Sequence, residues 1–129
     1  MAKPVVDLEL KKAFVELQVK MVETSKKIQI IDSQIGTLKR FLQHLAITQV
    51  EIRKLPPGTK TYESIGRMFL LADLEEVKSN LKEREAQLTA RTSELESNKQ
   101  YLEKNLEESQ DNIREMVQQR KEQSDVKTT

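Results

Sequence analysis

The stretch LKKAFVELQVKMVETSKKIQIIDSQIGTLKRFLQHL, running from Leu10 to Leu45, decides the fold. Alternating steps of four and three pick out Leu10, Phe14, Leu17, Met21, Thr24, Ile28, Ile31, Ile35, Leu38, Leu42 and Leu45, and ten of these eleven positions are apolar. A spacing that averages 3.5 residues over about five heptads lays one narrow apolar stripe along an α-helix and predicts a left-handed supercoil with a partner helix. Such a helix is expected over residues 7–46, roughly 58 Å at about 1.5 Å per residue. Asp7 precedes the stripe and is the candidate N-cap, and Gly36 lies off the stripe, where it costs about 1 kcal/mol relative to Ala.

A second stripe begins past the middle of the chain. Leu74, Leu81, Leu88, Leu95, Leu102, Ser109 and Met116 fall seven apart, and six of the seven are apolar. Their companions four residues on are polar at Lys78, Glu85, Thr92 and Lys99 before Leu106 and Ile113 restore a full seam. A helix over residues 74–121, roughly 72 Å long, is expected to pack well at its far end and more loosely along its middle. Asp73 and Glu76 have capping-box spacing, and residues 123–129 carry no stripe and are expected to fray.

Between the stripes the helical period stops. Thr48 with Glu51 is spaced to cap a short helical turn over 48–55, and Pro56, Pro57 and Gly58 then enforce a turn. Residues 61–65 and 67–72 are short, rich in β-branched, aromatic and apolar side chains, and meet near Gly66, which predicts a β-hairpin within 60–72. The alternative is an apolar loop covering the helix ends. Antiparallel pairing of the two helices within the chain is economical. Residues 7–46 carry seven basic and five acidic side chains and residues 74–123 carry nine and twelve, a difference that helps register more than stability.

Composition agrees with a thin core. Of the 129 residues, 36% are hydrophobic, 4% aromatic and 33% charged, with no Trp, which is too little apolar material for a spherical core. The 22 basic and 21 acidic residues are interspersed, so no block of one sign exists to track a phosphate backbone or an anionic membrane, and neither nucleic acid nor membrane is an expected partner. The absence of Cys fits a reducing compartment, and no apolar run suits a bilayer span or a secretory signal. A soluble intracellular chain is expected.

A two-stranded hairpin alone is marginal in water, and Met68, Phe69, Leu70 and Leu71 form a continuous apolar run instead of a one-faced alternation. One side is able to pack on helix ends; the other still needs cover, and open strand edges invite pairing with another chain. Tyr62, Ile65, Met68, Phe69, Leu70 and Leu71 are therefore the candidate oligomerisation hairpin. Burial of MFLL in a monomeric core is the competing reading.

The order helix, central hairpin, helix resembles the β-type subunits of prefoldin. The stretches that carry the resemblance are VDLELKKAFVELQ (Val6 to Gln18), YESIGRMFLL (Tyr62 to Leu71) and DNIREM (Asp111 to Met116), spread over about residues 4–122, and the central one is the most specific. KLPPGTKT in the turn region and SDVKTT in the tail depart from the pattern. The resemblance implies a single domain over 1–129, a mainly α chain whose hairpin joins an oligomeric β-barrel, and a hetero-hexamer of α-type and β-type prefoldin subunits. It implies a cytoplasmic chaperone that works without ATP, holds unfolded or nascent proteins such as actin and tubulin, and passes them to the cytosolic group II chaperonin. Carried onto this chain, the client-gripping tip comprises Val5, Val6, Leu8 and Leu10 with Ile113, Met116 and Val117. Flexible Met suits a surface that accommodates many partners, although ordinary seam packing explains Leu10, Ile113 and Met116 equally well.

Catalysis has no support in the pattern. A two-helix coil offers no water-excluding pocket, and no Gly-rich phosphate loop is present. His44, the only histidine, sits beside seam residue Leu45 and reads as a solvated side chain or a local contact. The adjacent acids Glu75 and Glu76, or Glu107 and Glu108, point to different sides of a helix and read as solvated surface. No cofactor or metal is expected. The rival to a chaperone subunit is a structural coiled-coil scaffold or dimerisation protein, which would have no need of the hairpin.

Overall fold

A computed structural model describes the backbone of residues 3–127 and the side chains of residues 8–123. The order is α1 (Lys3–Arg53), β1 (Thr61–Ile65), β2 (Met68–Ala72) and α2 (Leu74–Lys127). The chain divides into a terminal unit, Met1–Asp32 with Ser97–Thr129, and a central unit, Ser33–Glu96.

The helices are longer than the stripes that nucleate them. At Asp7, the expected cap, α1 is already under way, because Pro4 fits the first helical turn, where a missing N–H removes no bond. The separate turn expected at 48–55 is absorbed into α1: the Thr48 hydroxyl donates back to the His44 carbonyl at 2.9 Å, an interior helical bond. The helix then tightens, with Lys54 N–H donating to Glu51 O at 3.3 Å and Leu55 N–H to Ile52 O at 3.1 Å. Pro56 to Thr59 complete the stop. Gly58 has φ of 86°, and Thr59 donates to the Pro56 carbonyl from both its N–H (3.3 Å) and its hydroxyl (2.6 Å), the pattern of a type II turn with Pro57 and Gly58 at its centre. At the other end α2 continues through Gln123 to Lys127, which were expected to fray, since no Pro or Gly follows Gly66 to break it. Asp73 does stand at the start of α2, its carbonyl accepting the Val77 N–H at 2.9 Å.

In the central unit Ile35, Leu45, Leu74 and Leu95 are buried, and the remaining stripe residues Leu38, Leu42, Leu81 and Leu88 are half-buried. Lys39 lies 3.7 Å from Glu96, and Gln49, ten residues further along α1, donates to Glu85, eleven back along α2, at 3.0 Å. The helices therefore run antiparallel. Thr92, a polar residue in the stripe, is buried at 7% exposure, and its hydroxyl donates to the Leu88 carbonyl at 2.8 Å, so it needs nothing from across the seam.

In the terminal unit the stripe positions from Leu10 to Ile31 and from Leu102 to Met116 are all half-buried, the polar Thr24 and Ser109 included. Lys99, the other polar interruption, reaches the Asp32 carboxylate at 2.6 Å and Glu103 at 3.8 Å. The hydrogen bond to Asp32 raises the Lys99 pKa above its ordinary value, against a smaller opposing effect of desolvation.

Two consequences are open to measurement. A Cβ built on Gly36 meets nothing within 4 Å, so Gly36→Ala should raise stability by about 0.5–1 kcal/mol through helix propensity alone. Urea unfolding at fixed protein concentration reads this, and a lower midpoint would mean the added methyl is not free. For Asp32→Asn, the sign follows from a lysine whose folded pKa is raised. The stabilisation is fully present below the unfolded pKa near 10.5 and is lost as pH rises through the folded value. The wild-type advantage in Tm over Asp32→Asn should therefore be present at neutral pH and vanish in strongly alkaline buffer; an advantage that persists there would assign it to something other than the Lys99 charge.

Candidate functional site

Two clusters of apolar side chains, one in each unit, are the candidate surfaces. In the central unit β1 and β2 form a two-stranded antiparallel sheet, with Thr61 opposite Ala72, Tyr62 opposite Leu71, Glu63 opposite Leu70, Ser64 opposite Phe69 and Ile65 opposite Met68. Gly66 and Arg67 make the turn. Gly66 has φ of 62° and Arg67 does not go positive, the arrangement of a type II′ hairpin with Gly first. Arg67, expected in the second strand, thus belongs to the turn, because a two-residue loop needs it there.

Side chains alternate between the faces of this sheet. Tyr62, Phe69 and Leu71 share one face at 58%, 73% and 65% exposure, and Ile65, Met68 and Leu70 share the other at 51%, 61% and 48%. Only Thr61, Glu63 and Ala72 are partly covered, and the Thr61 hydroxyl ties the strand ends by donating to the Ala72 carbonyl at 2.7 Å. All six expected hairpin residues are therefore exposed, on both faces, and each of the five aliphatic or phenyl side chains would gain about 1–2 kcal/mol on burial of what remains exposed. Both strand edges are unpaired by a third strand among the described residues.

In the terminal unit Leu10, Phe14, Met116 and Val117 line a groove of about 380 Å³ together with Lys11, Arg120 and Lys121. Antiparallel pairing brings the start of α1 to the last turns of α2, and i, i+4 spacing places Leu10 with Phe14 and Met116 with Arg120 on one side of each helix. Of the expected tip residues, Leu10, Met116 and Val117 come together here. Ile113 is half-buried in the seam, and Leu8 is 69% exposed without lining the groove. Val5 and Val6 lie outside the described side chains. Phe14 was legible only as a seam residue, and Lys121 carried no sequence signal, since its part in the groove depends on the register between helices.

A further set was missed altogether: Val15, Val19, Val22 and Ile30 are off the stripe of α1 and more than half exposed. Their spacing of four, three and eight is helical and was hidden by the stronger stripe. His44 is exposed, and no group of three or more His, Cys, Asp or Glu among the described residues is placed to hold a metal. Among the described residues no helix is long and apolar enough to cross a membrane.

With this geometry established, comparison with known proteins is specific. The family model described as "Prefoldin subunit" matches residues 15–120. The chain is 49% identical over 81 residues to prefoldin subunit 1 of Danio rerio and 48% identical over 81 residues to that of Homo sapiens, covering in each case 63% of this chain and 66% of the relative. Prefoldin subunit 1 of Arabidopsis thaliana is 37% identical over 59 residues, 46% of either chain. The matches thus span less than two thirds of these relatives' length. Among solved structures, the prefoldin beta subunit from Thermococcus strain KS-1 superposes with a TM-score of 0.74 at 19% identity, over 80% of this chain and 90% of that one, which shows the shared fold. The chain belongs to the prefoldin subunit family.

Proposed function

We propose that this chain is a β-type subunit of a cytoplasmic prefoldin hexamer, a chaperone that acts without ATP. The observation that carries the reading is the hairpin. It exposes six large apolar side chains on both faces and offers two open edges, as an interface would, and membership of the prefoldin subunit family supports other prefoldin subunits as the partners. Strands from α-type and β-type subunits would close these edges into a shared β-barrel and remove the faces from water. The terminal groove then remains a concave apolar surface available to clients. Together with Val5, Val6, Leu8 and Ile113 it would hold unfolded or nascent chains such as actin and tubulin and release them to the cytosolic chaperonin.

Co-purification with mass measurement tests the assembly. A complex of about six small subunits of two related types is expected, whereas a homodimer is what a coiled-coil scaffold would give. Replacing Met68 and Phe69, one on each face, by Ser should abolish the complex while the chain keeps its helical circular dichroism, because both side chains are more than half exposed within the chain. Retention of a full-mass complex by that variant would rule out the hairpin as the joining element. For the other end, substitution of Val5, Val6, Met116 and Val117 by Ser should leave the hexamer intact and weaken its suppression of client aggregation several-fold; undiminished suppression would place client binding elsewhere.

A further inference from the structure

The terminal groove carries a charge pattern as well as an apolar one. Its floor is Leu10, Phe14, Met116 and Val117, half-buried or exposed, with the flexible thioether of Met116 able to adapt to different side chains. The other residues that line it are all cations: Lys11 from α1, and Arg120 and Lys121 from α2. None of the three takes part in an ion pair among the described residues, and all three are exposed. Two carboxylates nearby in sequence are engaged elsewhere, Asp111 with Arg114 at 4.0 Å and Glu122 with Gln118 at 3.5 Å, and Glu9 and Glu115 do not line the groove. This is unusual for the chain, whose 22 basic and 21 acidic residues are otherwise interspersed.

Long cationic side chains on an apolar groove bury their methylene stems and keep their charges in water. An apolar side chain entering the groove would therefore lie on Leu10, Phe14, Met116 and Val117 while its sequence neighbours meet three positive charges. A neighbouring Lys or Arg is repelled; a neighbouring Asp or Glu is attracted and finds no fixed carboxylate lining the groove to oppose it. We infer that the groove selects segments of unfolded protein in which a large apolar residue is flanked by Asp or Glu. The inference rests on the client-binding reading above and adds to it a rule for which segments are taken. The apolar floor supplies the affinity, and the three cations supply the discrimination.

Three labelled peptides sharing a Leu-Phe centre, flanked by Asp, by Ser or by Lys, test this by fluorescence anisotropy against the full chain and against its assembled complex. At about 0.05 M salt the Asp-flanked peptide should bind about tenfold tighter than the Lys-flanked one, and the ratio should collapse towards one at about 0.5 M, where exposed charges are screened. A variant with Lys11, Arg120 and Lys121 all changed to Gln removes the charges and shortens the stems. Whatever its affinity for the Ser-flanked peptide, the ratio between the Asp-flanked and Lys-flanked peptides should fall to about one. Met116→Ser with Val117→Ser should weaken all three peptides together. Binding of the three peptides with equal affinity, or a preference that survives in the triple Gln variant, overturns the charge rule and leaves client binding standing. Failure of every peptide to bind overturns both.

Discussion

A coiled-coil seam is narrow. Each long helix devotes only every third or fourth residue to its partner, so the apolar area either can bury is a stripe, and no side chain among the described residues is fully enclosed. From that limit the rest of the structure follows. The composition is poor in apolar residues because a stripe needs few. Stability along each helix comes from repetition of half-buried rungs and from uninterrupted helical hydrogen bonding. That is why the stretches that lack rungs, from Ala46 to Arg53 and from Gln123 to Lys127, still continue the helix: ending it early would forfeit backbone bonds without freeing any side chain for better packing.

A thin core also cannot absorb surplus apolar residues. Where the sequence carries more than the seam accommodates, they stand wholly or partly in water, as at the hairpin, at Val15, Val19, Val22 and Ile30, and in the terminal groove. The two surfaces differ in kind. The hairpin is flat, regular, apolar on both faces and edged with unpaired backbone groups, features that suit permanent burial against other strands. The groove is concave, small, rimmed by exposed cations and floored partly by methionine, features that suit repeated and reversible contact with dissimilar segments. The proposed function assigns the first to joining a particle and the second to clients.

The heptads were readable because they are a one-dimensional signal: every residue from Leu10 to Leu45 in the first stripe proved to be shielded, including the polar Thr24. The hairpin was readable for a different reason, since Gly66 marks its turn and the strands on either side have the wrong period for a helix. Helix ends were misread wherever a capping pattern, such as Asp7 or the Thr48 and Glu51 pair, occurred in a segment with no breaker. Capping residues stabilise a start but do not impose one, whereas Pro56, Pro57 and Gly58 do impose a stop. The groove was only half legible. Its apolar members belong to the stripes, but Phe14 joins Arg120 and Lys121 through antiparallel register, and a spacing rule within one helix carries no information about the other.

Register is also what the weak middle of the second stripe explains. Leu81, Leu88, Leu95 and Leu102 are chemically identical rungs seven residues apart, so a slip of one heptad along α2 would match leucine to leucine at little cost. The polar companions are not interchangeable. Within the terminal unit, a slip by seven would set Thr92 or Leu106 opposite Asp32 and leave Lys99, 31% exposed, without its 2.6 Å partner. Within the central unit the same slip would separate Gln49 from Glu85 and Lys39 from Glu96. Each of these contacts is individually weak because it is largely solvated. In each unit they distinguish one alignment from its neighbours, which the leucines by themselves cannot do, and in the terminal unit the alignment that pairs Lys99 with Asp32 is the one that brings Leu10 and Phe14 against Met116 and Val117 to form the groove.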